Sequence, residues 1–361
     1  MIGVIPAAGR ASRMGQIGVP KALIEVDGRT LLERSIDTLK SIGVSRVIVV
    51  VGHLGEKIVE RDLDVDIAWQ ETPLGLAHAI ATAAPDDDFV VLCPDNVYTD
   101  ETDLIRARDV FEANESVFLL VATVTPNTQR DRKAFFTSAH RSLAPNVYDY
   151  RSHSDDASGL AINSTGCVFF KREALDFLPS FSDTTREHIF RDYLESILER
   201  RDGLLYLLRG MRYDFSGPED VERYLELSQR LRETDARGVS AILISPAGQV
   251  LLQQRDDNPA IRYPAHWSLF GGTIEDGESP DEAVAREVRE EIDFELRNFG
   301  LFREFVQNNK REFAFAGELT ARLDELTLSE GQGMDFFYPS QLRELQIRPD
   351  DKETLEQYFG A

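Results

Sequence analysis

Between Met1 and about Arg232, short β-rich runs alternate with longer amphipathic ones, beginning IGVIPA, TLLERSIDTLKSIG, RVIVVVG, LAHAIATAA, FVVLC, DLIRARDVFEA and VFLLVATV. A strand that returns parallel to its predecessor needs a long crossover, and an amphipathic helix is the usual one. The alternation therefore predicts an α/β, doubly wound and mostly parallel mixed sheet with helices on both faces. In such folds ligands gather beyond the carboxyl ends of the strands.

From Arg237 the texture changes. GVSAILISPAGQVLLQQR reads as two alternating strands around a Pro-Ala-Gly turn, followed by one helix and further strands, a mixed α+β pattern. The charged segment VERYLELSQRLRETDARG before it reads as a helix leading into a linker. The seam is expected near Thr234, giving domains 1–233 and 236–361. A chain of 361 residues also exceeds what one core usually supports.

Charge narrows the partners. A formal charge of −23 opposes binding to nucleic acid or anionic membrane, so any phosphate-bearing ligand must meet local cations. The opening MIGVIPAAGR has neither a basic lead nor a long apolar run, which sets the expectation of a cytoplasmic protein. Cys93 and Cys167 lack metal-ligand spacing and are expected to be reduced core residues.

The first strand runs into PAAGRASRMG, and VPKALIEVDGRTLL follows. A small-residue loop after a strand, with Ala8 and Gly9, exposes backbone N–H groups to an anion, while Arg13 and Lys21 supply positive charge. Further on, Gln70 and PLGLAHAI form a second strand-to-helix turn, Asp95 ends the apolar strand FVVLC, and Asp214 precedes SGPEDVERY. An isolated aspartate after a strand usually serves a turn; here the whole set stands in order.

Together these segments resemble the sugar-phosphate nucleotidyltransferase family, whose members make nucleotide sugars on a Rossmann-like fold. The resemblance spans nearly the whole first domain. It implies that Gly9, Arg13 and Lys21 hold the triphosphate and that Asp95 and Asp214 hold Mg²⁺. Gln70 and Gly75 resemble the base-reading pair and suggest a pyrimidine, while Asn163 and Gly166 resemble acceptor contacts. The implied chemistry is in-line attack by an acceptor phosphate oxygen on the α-phosphorus of an NTP, expelling pyrophosphate. The attacking group is already an anion, so alignment and charge neutralisation suffice.

Two departures stand out. Ala11 and Ser12 replace the family's Gly-Thr before the arginine. Before NSTGCVFF the family carries Glu-Lys-Pro, whose lysine holds the acceptor phosphate; this chain has RSHSDDASGLAI, with Arg151 as a substitute cation. The acceptor is left open.

In the second domain, GGTIEDGESPDEAVAREVREEIDF places Glu287, Glu290 and Glu291 on one short helix. Like charges at that spacing repel, unless a cation joins them. Ser279 caps the helix, Pro280 opens it and Glu282 completes a capping box. The stretch resembles the Nudix box from Gly272 through Glu278, Arg286 and Glu287 to Glu290, Glu291 and Ile292, with Asp293 where the family has glycine. That change is tolerable where Asp293 adopts a left-handed conformation.

The resemblance implies an α/β/α Nudix hydrolase. Mg²⁺ or Mn²⁺ would be held by Glu287, Glu290, Glu291 and the Gly272 carbonyl, with Arg286 bracing Glu278. Glu290 and Glu330 are the candidate bases. Arg255 and Arg262 are candidate phosphate contacts, and Trp267 and Phe270 are expected in the core. The substrate class is a nucleoside diphosphate linked to another moiety.

The expected protein is thus a bifunctional enzyme acting on small nucleotides and a phosphorylated acceptor, with self-association left open. If the hydrolase cleaved the transferase product, the pair would consume NTP for nothing, so the two sites are expected to handle different nucleotides. The alternatives are a Nudix hydrolase whose first domain only senses nucleotide sugars, and a noncatalytic binding protein.

Overall fold

The computed structural model describes residues 1–361 apart from 10–17, 99–100, 127–134, 152–158, 182–189, 211, 216, 233, 235–236, 308–309 and 361. The first sheet runs Arg141–Ala144, Val147–Tyr150, Gly203–Leu207, Phe118–Val124, Ala161–Phe170, Phe89–Leu92, Ile2–Pro6, Arg46–Val51, Asp66–Trp69. Ile2–Pro6 pairs in parallel with both Arg46–Val51 and Phe89–Leu92, and Gly203–Leu207 pairs in parallel with Phe118–Val124. Ala161–Phe170 lies antiparallel between Phe89–Leu92 and Phe118–Val124 and makes the sheet mixed.

Local chemistry sets the helices. Thr30 and Glu33 form a capping box in which the Glu33 carboxylate accepts from Thr30 N–H at 2.8 Å and Thr30 Oγ1 accepts from Glu33 N–H at 3.1 Å. This starts the helix Leu31–Ser41, which buries Leu31, Leu32, Ile36 and Leu39. The charged segment before the seam forms the helix Pro218–Arg232.

The second sheet runs Trp267–Ser268, Val250–Gln254, Arg237–Ile244, Lys310–Glu318, Phe299–Gln307, with Gly333–Phe337 added to Val250–Gln254. The helix Pro280–Ile292 packs its Ala283, Val284, Val288 and Ile292 against Val239, Ala241, Phe313 and Phe315 on one face. The helix Pro349–Phe359 packs Leu355 and Tyr358 with Ile242, Ile244 and Leu252 on the other. The arrangement is α/β/α.

The core is continuous across the seam, because the cluster holding Ile242, Ile244 and Tyr358 also contains Val124, Leu160, Ile162 and Leu207. Asn146 bolts the two parts together. Its Nδ2 donates to Leu207 O and to Phe299 O at 2.7 Å each, and its Oδ1 accepts from Phe299 N–H at 3.0 Å. Leu301 N–H donates to Arg209 O at 3.0 Å alongside. Among the described residues no helix is long and apolar enough to cross a membrane.

Candidate active sites

At the carboxyl edge of the first sheet, strand Ile2–Pro6 runs out into buried Ala7 and Ala8 and exposed Gly9. Lys21 opens a short 3₁₀ turn, Lys21–Leu23. Its Nζ lies 2.9 Å from Asp95 Oδ2, and both side chains are partly exposed. Asp214 arrives by strand pairing: Arg212–Asp214 runs antiparallel to Asn96–Tyr98 with Asp214 opposite Asn96, and Phe215 N–H donates to Asp95 O at 2.9 Å. Three distant segments therefore bring Lys21, Asp95 and Asp214 to one edge.

Supporting contacts fix this edge. Asn96 Nδ2 donates to Asp95 Oδ1 at 2.7 Å, and Arg212 donates to Asn96 Oδ1 and, at 3.4 Å, to Asp214 Oδ2. Gly166 (φ 73°) accepts from Cys93 N–H at 2.9 Å, and a Cβ there would stand 2.8 Å from Asn96 Nδ2. The glycine lets strand Ala161–Phe170 press against the acidic edge. Asn163, half-buried and three residues before Gly166, pairs with Thr123 of the neighbouring strand Phe118–Val124. Cys167 is buried in the core as expected, whereas Cys93 is half-buried beside the acidic edge, and desolvation pushes both thiols above their usual range.

Gln70 is buried after strand Asp66–Trp69. Its Nε2 lies 2.8 Å from His78 Nδ1 and 3.5 Å from Gly75 O, and Gly75 (φ 94°) begins the helix Leu76–Ala83. Arg13 lies outside the described residues. Arg151 is exposed and donates to Asp149 at 3.4 Å. Sequence reasoning missed His78 and Arg212. Arg212 was signalled by its spacing, since residues two apart on a strand share a face, here Arg212 with Asp214.

In the second domain Arg286 organises the box. Its Nε and Nη2 grip Glu278 at 2.9 and 3.1 Å, and Nη2 also donates to Thr273 O at 3.1 Å. Nη1 lies 3.0 Å from Glu287 Oε1 and 3.1 Å from Glu290 Oε2. These bonds raise the Arg286 pKa, with Glu278 the largest contributor, and hold the Glu278 carboxyl below its usual range. Ser279 and Glu282 form the expected capping box, and Asp293 ends the helix in the left-handed conformation (φ 53°, ψ 38°).

The three glutamates have unlike surroundings. Glu290 is 55% exposed and turned to Arg286. Glu291 is buried and accepts from Gly271 N–H at 2.8 Å and Gln253 Nε2 at 3.1 Å. Burial pushes its pKa up to about 7; those hydrogen bonds oppose the shift, while Glu287 and Glu330 add to it. Glu291 and Glu330 line a cavity of about 270 Å³ with Gly272, Arg255, Lys310 and Arg348. Arg262 instead donates to its neighbour Tyr263 at 3.1 Å. Phe270 is fully buried, and Trp267 is half-buried against Phe337 at 4.7 Å between ring centroids.

Gly272 O accepts from Val239 N–H at 2.9 Å, and a Cβ at Gly272 would fill the space of the Glu287 carboxylate. The donor set of carboxylates and one carbonyl suits a hard divalent cation. Among the described residues no three acidic, histidine or cysteine side chains stand close enough to hold one without rearrangement. The Arg286 guanidinium joins Glu287 and Glu290.

Residues 3–176 match the family described as MobA-like NTP transferase domain, and residues 234–358 match the NUDIX domain. The chain is 30% identical over 130 residues to a UTP–glucose-1-phosphate uridylyltransferase, AglF, of Haloferax volcanii, covering 33% of this chain and 54% of that protein. It is 28% identical over 252 residues to the low-salt glycan biosynthesis nucleotidyltransferase Agl11 of the same organism, covering 64% of this chain and 66% of that protein. The chain thus spans less than two thirds of either relative's length. A UDP-glucose pyrophosphorylase structure from Acinetobacter baumannii superposes with a TM-score of 0.55 at 18% identity, covering 64% of this chain and 94% of that one, a likeness of fold.

Proposed function

We propose, from the premise that this chain joins a MobA-like NTP transferase domain to a NUDIX domain, that it is a bifunctional enzyme of nucleotide phosphate chemistry. The first domain transfers a nucleotidyl group from a pyrimidine NTP to a sugar phosphate or related phosphate and releases pyrophosphate. The second hydrolyses a nucleoside diphosphate linked to another moiety. The observation that carries the reading is the meeting of Lys21, Asp95 and Asp214 at the carboxyl edge of a mostly parallel sheet.

In the transferase, Ala8, Gly9 and Lys21, with Arg13, take the triphosphate, and Gln70 and Gly75 take the base. Asn163 and Gly166 face the acceptor. Asp95 and Asp214 are the residues that would hold Mg²⁺. Lys21 shields Asp95 from its acidic neighbour until the triphosphate arrives and competes for the ammonium.

In the hydrolase, Glu287, Glu290, Glu291 and Gly272 O would hold Mg²⁺ or Mn²⁺, with Arg286 swinging off Glu287 and Glu290 while keeping Glu278. A divalent cation supplies neutralisation of diphosphate charge and activation of water. Glu330, which lines the cavity beside Glu291, is better placed to take a proton from water than Glu290, which is turned to Arg286.

The second reading, a hydrolase with a nucleotide-sugar-sensing first domain, is favoured by RSHSDDASGLAI in place of a lysine-bearing acceptor loop. One experiment separates them. The full chain with Mg²⁺ is screened for pyrophosphate release from each NTP with a panel of sugar and alcohol phosphates, beside Asp95→Asn. Release by the wild type and its loss in the variant support the enzyme. Nucleotide-sugar binding with no release on any pair supports the sensor.

A further inference from the structure

A second cavity, about 250 Å³, lies at the seam between the two domains and belongs to neither candidate active site. Arg106 and Arg209 reach it from the first domain, Arg237 and Arg311 from the second. In a chain of net charge −23, four guanidinium groups around one hollow are out of keeping with the rest of the surface.

Two of them raise a specific difficulty. Arg237 and Arg311 are paired residues on adjacent parallel strands, so their side chains leave the same face of the sheet. Like charges set opposite each other in a sheet destabilise it. Arg311 is answered by Glu304, while the Arg237 side chain makes no hydrogen bond or ion pair among the described residues. In the box helix the like charges of Glu287 and Glu290 are joined by a group of opposite sign, the Arg286 guanidinium.

The acids that line the hollow are already engaged. Asp103 accepts from Tyr206 Oη at 2.7 Å and from Gly210 N–H at 3.1 Å. Asp281 accepts from Ser279 Oγ at 2.7 Å and lies 3.7 Å from Arg209, and Glu304 faces Arg311 and Tyr213 Oη. Among the described residues Arg106 makes no hydrogen bond: it lies 3.8 Å from Asp103, too far for one, and near enough to Glu282 to help hold that carboxyl below its usual range. Among the described residues, Arg106 and Arg237, one from each domain, thus spend no side-chain donor on a hydrogen bond.

We propose that this seam cavity is a binding site for a small phosphoanion, held by the forked donors of Arg106 and Arg237 with Arg209 and Arg311 behind them. Guanidinium forks match phosphate oxygens in geometry and charge. An anion gripped from both domains strengthens their docking. It also sits beside Ser279 and Asp281, where the box helix begins.

The test is calorimetric titration of inorganic diphosphate into the full chain with EDTA present, with sulfate as the control anion. Diphosphate is expected to bind and to raise the melting temperature. Arg106→Gln/Arg237→Gln is expected to lose affinity at least tenfold, while Arg297→Gln, at an exposed arginine outside the cavity and both candidate active sites, keeps it. Should the double variant fail to fold by circular dichroism, Arg237→Lys carries the test, with a several-fold loss expected because the fork is gone. Equal affinity in wild type and arginine variant, absence of diphosphate binding, or sulfate binding as tightly as diphosphate, an adventitious ion only, would each overturn the proposal.

Discussion

Lys21 and Asp95, 74 positions apart in the chain, meet at 2.9 Å. The ammonium occupies the edge where Asp214 also arrives, so it links the phosphate-loop end of the sheet to its acidic end. Removing it should leave the fold intact, because the side chain is partly exposed. Lys21→Ala is predicted to lower kcat/KM for the NTP about 10²-fold, the scale of losing one well-placed charge donor. Steady-state pyrophosphate release measures this, and an unchanged kcat/KM would remove Lys21 from the site.

Neighbouring glycines should fail in different ways. At Gly272 an added Cβ meets the end of the flexible Glu287 side chain, which can turn aside. Gly272→Ala should therefore melt near the wild-type temperature and lose most Nudix hydrolysis. At Gly271 (φ 140°) the Cβ would strike the backbone of Val239, so Gly271→Ala should cost about 1–3 kcal/mol of stability. Chemical denaturation and a hydrolysis assay on both variants check the contrast.

Asn146 should govern whether the domains unfold together. Asn146→Ala strips partners from Leu207 O and from the N–H and C=O of Phe299, all buried at the seam. The expected loss is a few kcal/mol, about 1–3 per unsatisfied buried group, and a melt that splits into two transitions. A single unshifted transition would show that the apolar seam alone couples the domains.

Asp351 gives a pH signature. It is fully buried, accepts from Arg348 at 2.8 Å and Leu269 N–H at 3.1 Å, and burial raises its pKa to about 6 from 3.8. The folded state therefore binds a proton more tightly than the unfolded one. The stability this group adds is fully present below the unfolded pKa and is lost as pH rises through about 6. Wild type should lose stability relative to Asp351→Asn from pH 4 to pH 7. A relative gain by wild type over that range would reverse the assignment.

The parts legible in the sequence were those written in local chemistry. Strand–helix alternation carried the first sheet, and the spacing from Gly272 to Ile292 carried the box helix, its cap and the Arg286–Glu278 brace. Asp293 was readable because its left-handed backbone is one that aspartate tolerates. What stayed hidden depends on single long-range meetings. Asn146 and Phe299 touch across 153 positions with no periodicity to announce it. His78 beside Gln70 and the unlike burial of Glu290 and Glu291 follow from how whole elements pack. The seam cavity exists only once both sheets are docked.

The central claim is that two independent phosphate-chemistry sites share one chain. Its most direct measurement runs both assays, pyrophosphate release and nucleoside diphosphate hydrolysis, on full-length wild type, Asp95→Asn and Glu287→Gln with Mg²⁺ present. The account predicts that Asp95→Asn silences only the first activity and Glu287→Gln only the second. Loss of both activities from either single substitution, in a protein that still folds, would contradict it.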